Sequence, residues 1–400
     1  MGKESVVTFQ TPRTIKYGRG ALQSVGEIAL KKGKKALIIS DEVIEDLGYL
    51  KECQNVLKSA KIESVLYLGV KSEPTDEYVS EALQIFNEKK CDIIISLGGG
   101  SCIDTAKAVA VVATNGGYIG DYMGEKKIAE KRAIPHIAIP TTAGTGSEVT
   151  DVTVITNSSN DVKMMIKQPV FLPDAAIVDP ILTVSSPKSV TAATGVDALS
   201  HAIEAYISKK ANPLTDTFAL SAMKLIVNNL KKCYVDRNDL DAREAMALGA
   251  LQAGLAFSNA SVCLVHGMSR PIGALFNVPH GFSNAMLLPA VLEFSQKEAT
   301  DRLADLGRIF AEDSETFTDE EAADFAVESV KKLCSDLNIP NLKGWGIDRE
   351  KFKQQLDKMA KDALESGSPQ NNPRVPTEDE IKQLYLDCYD YEFKTKRVFK

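Results

Sequence analysis

The sequence predicts an α/β N-terminal domain with a parallel sheet, residues 1–185, followed by an all-α C-terminal domain, residues 186–400. Up to about residue 178, short apolar runs alternate with helical stretches, which is the pattern of a buried parallel sheet. Beyond residue 189 the strand signals stop and only long helical patterns follow. Ser185-Ser186-Pro187 separates the two patterns, and Pro187 suits the first turn of a new helix.

The predicted elements follow one another in a regular order. The strand candidates cover residues 36–40, 62–68, 91–97, 134–139, 152–156 and 175–178. Helical patterns lie between them, up to residue 60, over 76–90 and over 104–113. The second half shows helical patterns over residues 191–208, 216–230, 241–257, 299–312, 319–336 and 349–366. Strands that alternate with helices favour βαβ crossovers, so we expect the first half to carry the sheet.

Composition excludes several classes of protein. The 400 residues are 44% hydrophobic and 25% charged, which is ordinary for a globular chain of about two domains. A formal charge of −7 lacks the basic field that dominates nucleic-acid binding, and we interpret the basic residues Lys394, Lys396, Arg397 and Lys400 as a solvated end. The longest apolar run, residues 108–113, is far shorter than the roughly 18 residues of a membrane span. We therefore expect no nucleic-acid partner and no membrane segment.

The cysteines and the N-terminus indicate the compartment. Seven cysteines form an odd set without a CxxC pair, which argues against a disulfide framework and against a thiolate zinc site. The first ten residues contain no apolar stretch of the kind that a secretory signal needs. The sequence therefore predicts a cytoplasmic protein.

A glycine turn follows the strand that ends at Leu97. Gly98, Gly99, Gly100 and Ser101 lead directly into a helix, and a helix N-terminus with accessible backbone N–H groups binds anions such as a pyrophosphate. The turn differs from the G-x-G-x-x-G fingerprint, and a strand–glycine–helix turn without a ligand is the alternative.

Two further segments suit a nucleotide. The loop from Pro140 to Glu148 follows another strand and is rich in hydroxyl groups and glycine. Asp41 comes just after the first strand, where a carboxylate accepts hydrogen bonds from an adenosine ribose and repels a 2′-phosphate, which favours NAD over NADP. The alternative role for Asp41 is a helix cap.

The chain has only four histidines, and three of them fall in the helical half with a carboxylate. Asp197 and His201 are four residues apart on a helical segment, so they share one face. His266 and His280 add two imidazoles, and a set of three nitrogens and one oxygen suits Zn²⁺ or Fe²⁺. Any one of these histidines could instead be a hydrogen-bonded core residue. The neighbouring glycines Gly195, Gly267 and Gly281 suggest close approach to a bound group, whereas His136, on a predicted strand, is assigned a structural role.

These motifs together resemble the iron-containing, group III alcohol dehydrogenases. The resemblance rests on Gly98 to Lys107, Pro140 to Glu148, Gly195 to Glu204, His266 to Met268, Pro279 to Gly281 and Asn371 to Pro376, in order along nearly the whole chain. It implies a dehydroquinate synthase-like fold with an N-terminal dinucleotide-binding domain and a C-terminal metal-binding and substrate domain. It also implies a homodimer or a higher homo-oligomer.

The resemblance implies an activity and a set of site residues. The implied reaction interconverts a short primary alcohol or diol and its aldehyde by hydride transfer, with NAD(H) and with Fe²⁺, or alternatively Zn²⁺, as cofactors. Metal binding and catalysis are assigned to Asp197, His201, His266 and His280. Cofactor contacts are assigned to Asp41, Gly98, Gly99, Gly100, Ser101, Asp104, Thr141, Thr142, Thr145, Lys163 and Leu182. Substrate contacts are assigned to Val152, Phe257 and Arg270.

The sequence departs from the family pattern at Arg270. Many relatives carry a histidine there, four residues after the third metal ligand, which is thought to relay a proton, and arginine is a poor acid–base group. A guanidinium in that place could bind an aldehyde that bears a carboxylate or a sulfonate, or it could pair with cofactor phosphate or an acidic neighbour. An anionic-aldehyde reductase is therefore one alternative function, and a dehydroquinate synthase-like lyase is another. A second departure is Glu73, where relatives often have Asn.

Overall fold

The computed structural model describes residues 6–160, 162–311 and 317–395. The predicted end of one helix, Glu312, and the basic residues Lys396, Arg397 and Lys400 lie outside the described residues. By Cα proximity the chain forms two compact units, neither of them continuous in sequence. Of the described residues, those within Thr11–Pro187 and Asp236–Gly254 form the α/β unit, and those within Met1–Gln10, Lys188–Val235 and Leu255–Lys400 form the helical unit.

The sequence predicted a single boundary between residues 185 and 186, whereas residues 236–254 group with the α/β unit. Side-chain contacts explain this grouping. Arg19 forms ion pairs with Asp241 and Glu244, and the Tyr17 hydroxyl donates to the Glu244 carbonyl at 3.0 Å. These contacts join residues more than 200 positions apart, which local patterns in the sequence do not reveal.

The α/β unit contains a six-stranded sheet in which every strand pair is parallel. Its strands are β1 (Thr14–Tyr17), β2 (Lys35–Ile39), β3 (Glu63–Tyr67), β4 (Ile93–Gly98), β5 (His136–Pro140) and β8 (Ala175–Val178), in the spatial order β1-β8-β5-β4-β2-β3. Two more strands, β6 (Val152–Asn157) and β7 (Val162–Lys167), form a separate antiparallel pair. The predicted parallel sheet is confirmed.

Helices cover both faces of this sheet, which explains why its inner strands β2 and β4 are almost continuously apolar. They are α1 (Val25–Leu30), α2 (Glu42–Asp46), α3 (Tyr49–Ser59), α4 (Asp76–Glu88) and α5 (Gly100–Asn115). Alternate residues of β2 and β4 enter different cores: Leu37, Ile39 and Ile94 belong to one, and Ile38, Ile93 and Ile95 to the other. A strand buried on both faces needs apolar residues at every position.

The helical unit follows β8. Its helices are α6 (Lys188–Ile207), α7 (Pro213–Val235), α9 (Leu264–Phe276), α10 (His280–Ser295), α11 (Thr300–Phe310), α12 (Asp319–Asp336), α13 (Leu342–Trp345), α14 (Arg349–Glu365) and α15 (Glu378–Tyr389). The remaining helix, α8 (Leu240–Asn259), has residues in both units. Within the described part of the chain no single helix is long and apolar enough to cross a bilayer, and only α8 and α9, taken together as a broken pair, pass the same test.

Several elements were not predicted from the sequence. Strands β1 and β7 are four and six residues long and partly exposed, so their apolar signal is weak. Helices α9 and α10 contain Pro271 and Pro289, which lack the N–H group that an interior helical position normally donates. Strand β6 was predicted, but its antiparallel pairing with β7 was not.

Candidate active site

One carboxylate and three imidazoles converge in the helical unit. One potential ligand atom from each of Asp197, His201, His266 and His280 lies within 4.8 Å of all the others. From the Asp197 Oδ1 atom, the distances to His201 Nδ1, His266 Nε2 and His280 Nε2 are 4.0, 3.6 and 3.9 Å. Ligand atoms about 2 Å from a shared ion lie about 3–3.5 Å apart, so small movements suffice to bind one. One oxygen and three nitrogens form a donor set that fits Fe²⁺ or Zn²⁺.

Three helices position these side chains. Asp197 and His201 are one turn apart on α6, His266 is in the first turn of α9, and His280 begins α10. The neighbouring glycines permit close packing of the protein rather than approach to a bound group. A Cβ atom on Gly195 would lie 2.2 Å from Leu230 of α7, and one on Gly281 would lie 3.0 Å from the Ala193 carbonyl of α6.

Phe257 lies against the cluster. Its ring stacks on His201 with a centroid distance of 4.2 Å and an interplanar angle of 16°, and His201 in turn stacks on His266 at 4.4 Å. The assigned substrate-contacting aromatic therefore packs directly on a candidate metal ligand.

Glu204 is a buried neighbour of the cluster that the sequence analysis did not assign. Its Oε2 atom lies 2.5 Å from His266 Nδ1, and its Oε1 atom accepts a hydrogen bond from the Val265 backbone N–H at 2.6 Å. Asp197, His201 and Glu204 have the i, i+4, i+7 spacing of one helix face. That spacing was the signal available in the sequence.

Asn284 is a second unassigned neighbour, four residues after His280 on α10. Its amide nitrogen donates to Asp197 Oδ1 at 2.6 Å and lies 3.0 and 3.1 Å from the Nε2 atoms of His266 and His280. Three ligand atoms thus surround one nitrogen. The Asn284 Oδ1 atom is buried and has no hydrogen-bond partner among the described residues. A cluster whose lone pairs converge on one point is suited to a cation.

Electrostatics within the cluster favour a cation as well. Burial alone would raise the pKa of Asp197, but His201, His280 and His266 together hold it well below its usual range. Burial alone would likewise lower the pKa of His266, yet the carboxylates of Glu204 and Asp197 raise it to about 9. A proton and a metal ion therefore compete for the same imidazole.

Arg270, on α9, lies near Glu204. Burial lowers the pKa of Arg270 to about 10, and the Glu204 carboxylate opposes that shift. The guanidinium therefore has an acidic neighbour within the protein, which was one of the alternatives for it.

The glycine turn lies where the direction of the sheet changes. Strands β2 and β4 are neighbours in the sheet. From β2 the chain continues to β3, on one side of this pair, whereas from β4 it continues to β5, on the opposite side. Nucleotides bind at the carboxyl ends of parallel strands at such a point. The turn is also tightly packed, because a Cβ atom on Gly100 would lie 2.9 Å from Thr145 Cγ2.

Asp41 lies beside this turn and caps α2. Its Oδ1 atom accepts from the Ile44 backbone N–H at 2.9 Å, and its Oδ2 atom is 3.6 Å from Cys102 Sγ. Its proposed role toward a ribose would use the Oδ2 edge, which is not engaged by the cap.

The hydroxyl-rich loop is joined to α5 by a buried network. Lys107 is 1% exposed and donates to Ser147 Oγ, Thr150 Oγ1 and the Val152 carbonyl at 2.9, 2.9 and 2.6 Å. Asp104 accepts from Ser147 Oγ at 2.5 Å and from the Val154 N–H at 2.9 Å. Both Asp104 oxygens thus bond within the protein, and its assigned cofactor contact stays a prediction.

The loop hydroxyls and the remaining cofactor candidates differ in their surroundings. Thr141 donates its backbone N–H to the Gly98 carbonyl at 3.0 Å, and a Cβ atom on Gly99 would lie 4.0 Å from the Thr142 side chain. Lys163 forms an ion pair with Glu73 at 3.1 Å. Leu182 is 1% exposed and belongs to the core, so a cofactor contact there would use its backbone.

His136 occupies the structural position assigned to it on β5. Its Nε2 atom lies 2.8 Å from Ser96 Oγ on the adjacent strand β4. Burial lowers the pKa of His136 to about 3, so this imidazole is neutral at ordinary pH.

Comparison with known proteins identifies the family. The family model described as iron-containing alcohol dehydrogenase matches residues 12–180, and the model for the C-terminal part of the Fe-containing alcohol dehydrogenase family matches residues 191–389. The chain belongs to the iron-containing alcohol dehydrogenase family. The predictions of family, fold class and an oxidoreductase that acts on alcohols are confirmed by these matches.

Relatives within this family match along almost their whole length. An NAD-dependent methanol dehydrogenase of Bacillus methanolicus is 39% identical over 381 residues, which are 95% of this chain and 99% of that protein. A 1,3-propanediol dehydrogenase of Citrobacter freundii is 37% identical, covering 95% and 98%. A crystal structure of a 1,3-propanediol oxidoreductase superposes with a TM-score of 0.92 at 36% identity, covering 96% of this chain and all of that one. The predicted cofactors, NAD(H) and Fe²⁺, agree with the family and with its NAD-dependent member.

Proposed function

We propose that the chain is an NAD(H)- and Fe²⁺-dependent alcohol dehydrogenase that interconverts a short primary alcohol or diol and its aldehyde. The convergence of Asp197, His201, His266 and His280 within 4.8 Å carries the proposal, because these side chains could hold a divalent metal ion in a member of an alcohol dehydrogenase family. Relatives that act on methanol and on 1,3-propanediol support a short substrate.

The four side chains of the cluster would hold the metal. A bound divalent ion supplies Lewis-acid chemistry at the substrate oxygen, and NAD(H) supplies or accepts the hydride. Asp197 contributes the one negative charge of the donor set, and its low pKa keeps that charge at any working pH. Phe257, stacked on His201, would limit the space beside the metal to a small apolar group.

The α/β unit would hold the dinucleotide. The N–H groups at the start of α5, with Ser101, would bind the pyrophosphate, and the loop carrying Thr141, Thr142 and Thr145 would line the nicotinamide half. Asp41 would bind the adenosine ribose, which supports NAD over NADP. Lys163 and Leu182 complete the proposed cofactor contacts, and Val152 and Arg270 the substrate contacts.

An anionic aldehyde is the less favoured alternative. Arg270 would be the group that binds a carboxylate or a sulfonate, but its charge already interacts with buried Glu204. The same guanidinium, with a pKa of about 10, is a poor proton relay at neutral pH. Of the four histidines three are assigned to the metal and His136 is bound to Ser96, so we propose that water or a cofactor hydroxyl carries the substrate proton.

We also propose a cytoplasmic homodimer or higher homo-oligomer. The seven cysteines, all within the described residues, are buried and form no disulfide, which suits a reducing compartment. Sedimentation of the purified protein measures the oligomeric state.

A substrate panel tests the proposed function. We expect Fe²⁺-loaded protein to oxidise short primary alcohols and diols with net formation of NADH, and to prefer NADH over NADPH in the reverse direction. His266→Ala removes one ligand and should lower turnover about 100-fold or more, because Lewis-acid catalysis is worth several kcal/mol. Consumption of a substrate without net change in NADH would instead indicate a lyase, and a fully active His266→Ala variant would contradict the metal assignment.

A further inference from the structure

The environment of His266 is asymmetric in a way that matters for metal binding. Its Nε2 atom lies 3.6 Å from Asp197 Oδ1, within the cluster, whereas its Nδ1 atom lies 2.5 Å from Glu204 Oε2, outside it. Glu204 is 1% exposed, so water does not replace this contact. The Nε2 atom of His266 therefore faces the candidate metal site, whereas its Nδ1 atom faces the Glu204 carboxylate.

A carboxylate is an acceptor only, so the 2.5 Å contact requires the proton to be on Nδ1. A neutral imidazole carries one proton, so Nε2 then presents its lone pair to the cluster. Metal-binding histidines in proteins commonly donate their other N–H to a carboxylate in this way.

Glu204 is itself held in place. Its second oxygen accepts from the Val265 backbone N–H at 2.6 Å, next to His266 in sequence, so the carboxylate spans α6 and the start of α9. Both oxygens are acceptors, and Val265 N–H and His266 Nδ1–H each donate to a different one.

From this geometry we propose that Glu204 is a positioning residue that fixes the tautomer of His266, and so sets the affinity of the metal site. The inference rests on the metal site of the proposed function. It concerns how tightly the metal is held and does not depend on which alcohol is the substrate.

If Glu204 fixes the tautomer of His266, Glu204→Gln should weaken metal binding more than Glu204→Ala does. Simple loss of a contact would not give this order. Glu204→Gln keeps the size of the side chain but offers one acceptor and one donor. When Val265 N–H takes the acceptor, the amide N–H faces His266 Nδ1 and forces the proton onto Nε2, where it blocks the metal. The opposite amide orientation sets two donors against each other at Val265. Glu204→Ala leaves Nδ1 without a partner but allows either tautomer.

The test measures the dissociation constants of Zn²⁺ and Fe²⁺ for the full chain by chelator competition. We expect Glu204→Ala to weaken binding about 10- to 100-fold, as loss of such a partner typically does, and Glu204→Gln to weaken it further, roughly fivefold more. Glu328→Gln is the matched control, because Glu328 is buried in the same unit and bonds to Lys331, and its metal affinity should equal that of the wild type. A Glu204→Gln variant that binds metal within twofold of the wild type, or more tightly than Glu204→Ala, overturns the proposal.

A second measurement needs no variant. With only four histidines, ¹⁵N-histidine labelling of the Zn²⁺-loaded wild type allows each ring to be assigned by NMR. We expect the His266 proton on Nδ1, and a proton on Nε2 overturns the inference. Failure of the wild type to bind either metal would instead overturn the proposed metal site, and this inference with it.

Discussion

At the scale of single residues, the four histidines have distinct environments. His201, His266 and His280 converge with Asp197, whereas His136 is buried beside Ser96 in the sheet. Arg270, on the same helix as His266, carries a charge that interacts with Glu204. The arginine is thereby tied to the surroundings of a metal ligand, and this limits its freedom to select a substrate.

Replacement of Arg270 tests this interpretation. We expect Arg270→His to lower kcat/KM for butanal and for a carboxylate-bearing aldehyde of the same length by similar factors, because the charge of Arg270 already interacts with Glu204. The two factors should lie within about threefold of each other, a difference under 1 kcal/mol. Steady-state kinetics with the two aldehydes makes each the control for the other. A selective loss of tenfold or more on the anionic aldehyde would favour the anionic-aldehyde alternative.

At the scale of elements, different hydrogen bonds anchor α5 near its two ends. Near its N-terminus, Lys107 and Asp104 join it to the loop that carries Thr141, Thr142 and Thr145. Burial lowers the pKa of Lys107 to about 8, although the nearby carboxylates of Asp104, Asp151 and Glu148 oppose the shift. At the C-terminal end, Lys127 donates to the carbonyls of Asn115 and Gly116. The hydrogen bonds near the N-terminus should therefore affect cofactor binding, and those at the C-terminal end only the helix itself.

Substitution of either lysine separates the effects of these two sets of hydrogen bonds. Lys107→Met removes a hydrogen bond to Ser147 in the loop and two more to Thr150 and Val152 just after it, so we expect KM for NADH to rise roughly tenfold, about 1.4 kcal/mol, with little change in KM for the aldehyde. Lys127→Met should leave KM for NADH unchanged. Equal effects of the two variants on KM for NADH, or an effect of Lys107→Met on stability only, would show that the network does not position the loop.

At the scale of the whole molecule, the candidate metal site joins segments that are far apart in sequence. Its side chains come from α6, α9 and α10, so an ion bound there would cross-link three helices of the helical unit. An ion that binds the folded chain and not the unfolded chain stabilises the fold by mass action.

Calorimetry measures how far a bound metal ion stabilises the folded chain. At a metal concentration about 1,000 times the dissociation constant, the stabilisation should be about 4 kcal/mol, which corresponds to a rise in melting temperature of roughly 10 °C for a unit of about 200 residues. A chelator should reverse the rise. His266→Ala should show a much smaller one, and an equal rise in that variant would place the ion elsewhere.

The class of fold, the glycine turn and the residues of the candidate metal site can all be predicted from local patterns in the chain. The predicted helix over 319–336 has the same bounds as α12, and the runs at 36–40 and 91–97 became β2 and β4, because periodicity and burial act along a continuous segment. The contact of Glu204 with His266, the place of Asn284 among the candidate metal ligands and the bond from Lys107 to the hydroxyl-rich loop appear only in the tertiary structure. It also decided that β6 pairs with β7 and that residues 236–254 group with the α/β unit. Except for the pairing of the consecutive strands β6 and β7, these contacts join residues that are distant in the chain, and a hydrogen bond between such residues leaves no periodic signal in either segment.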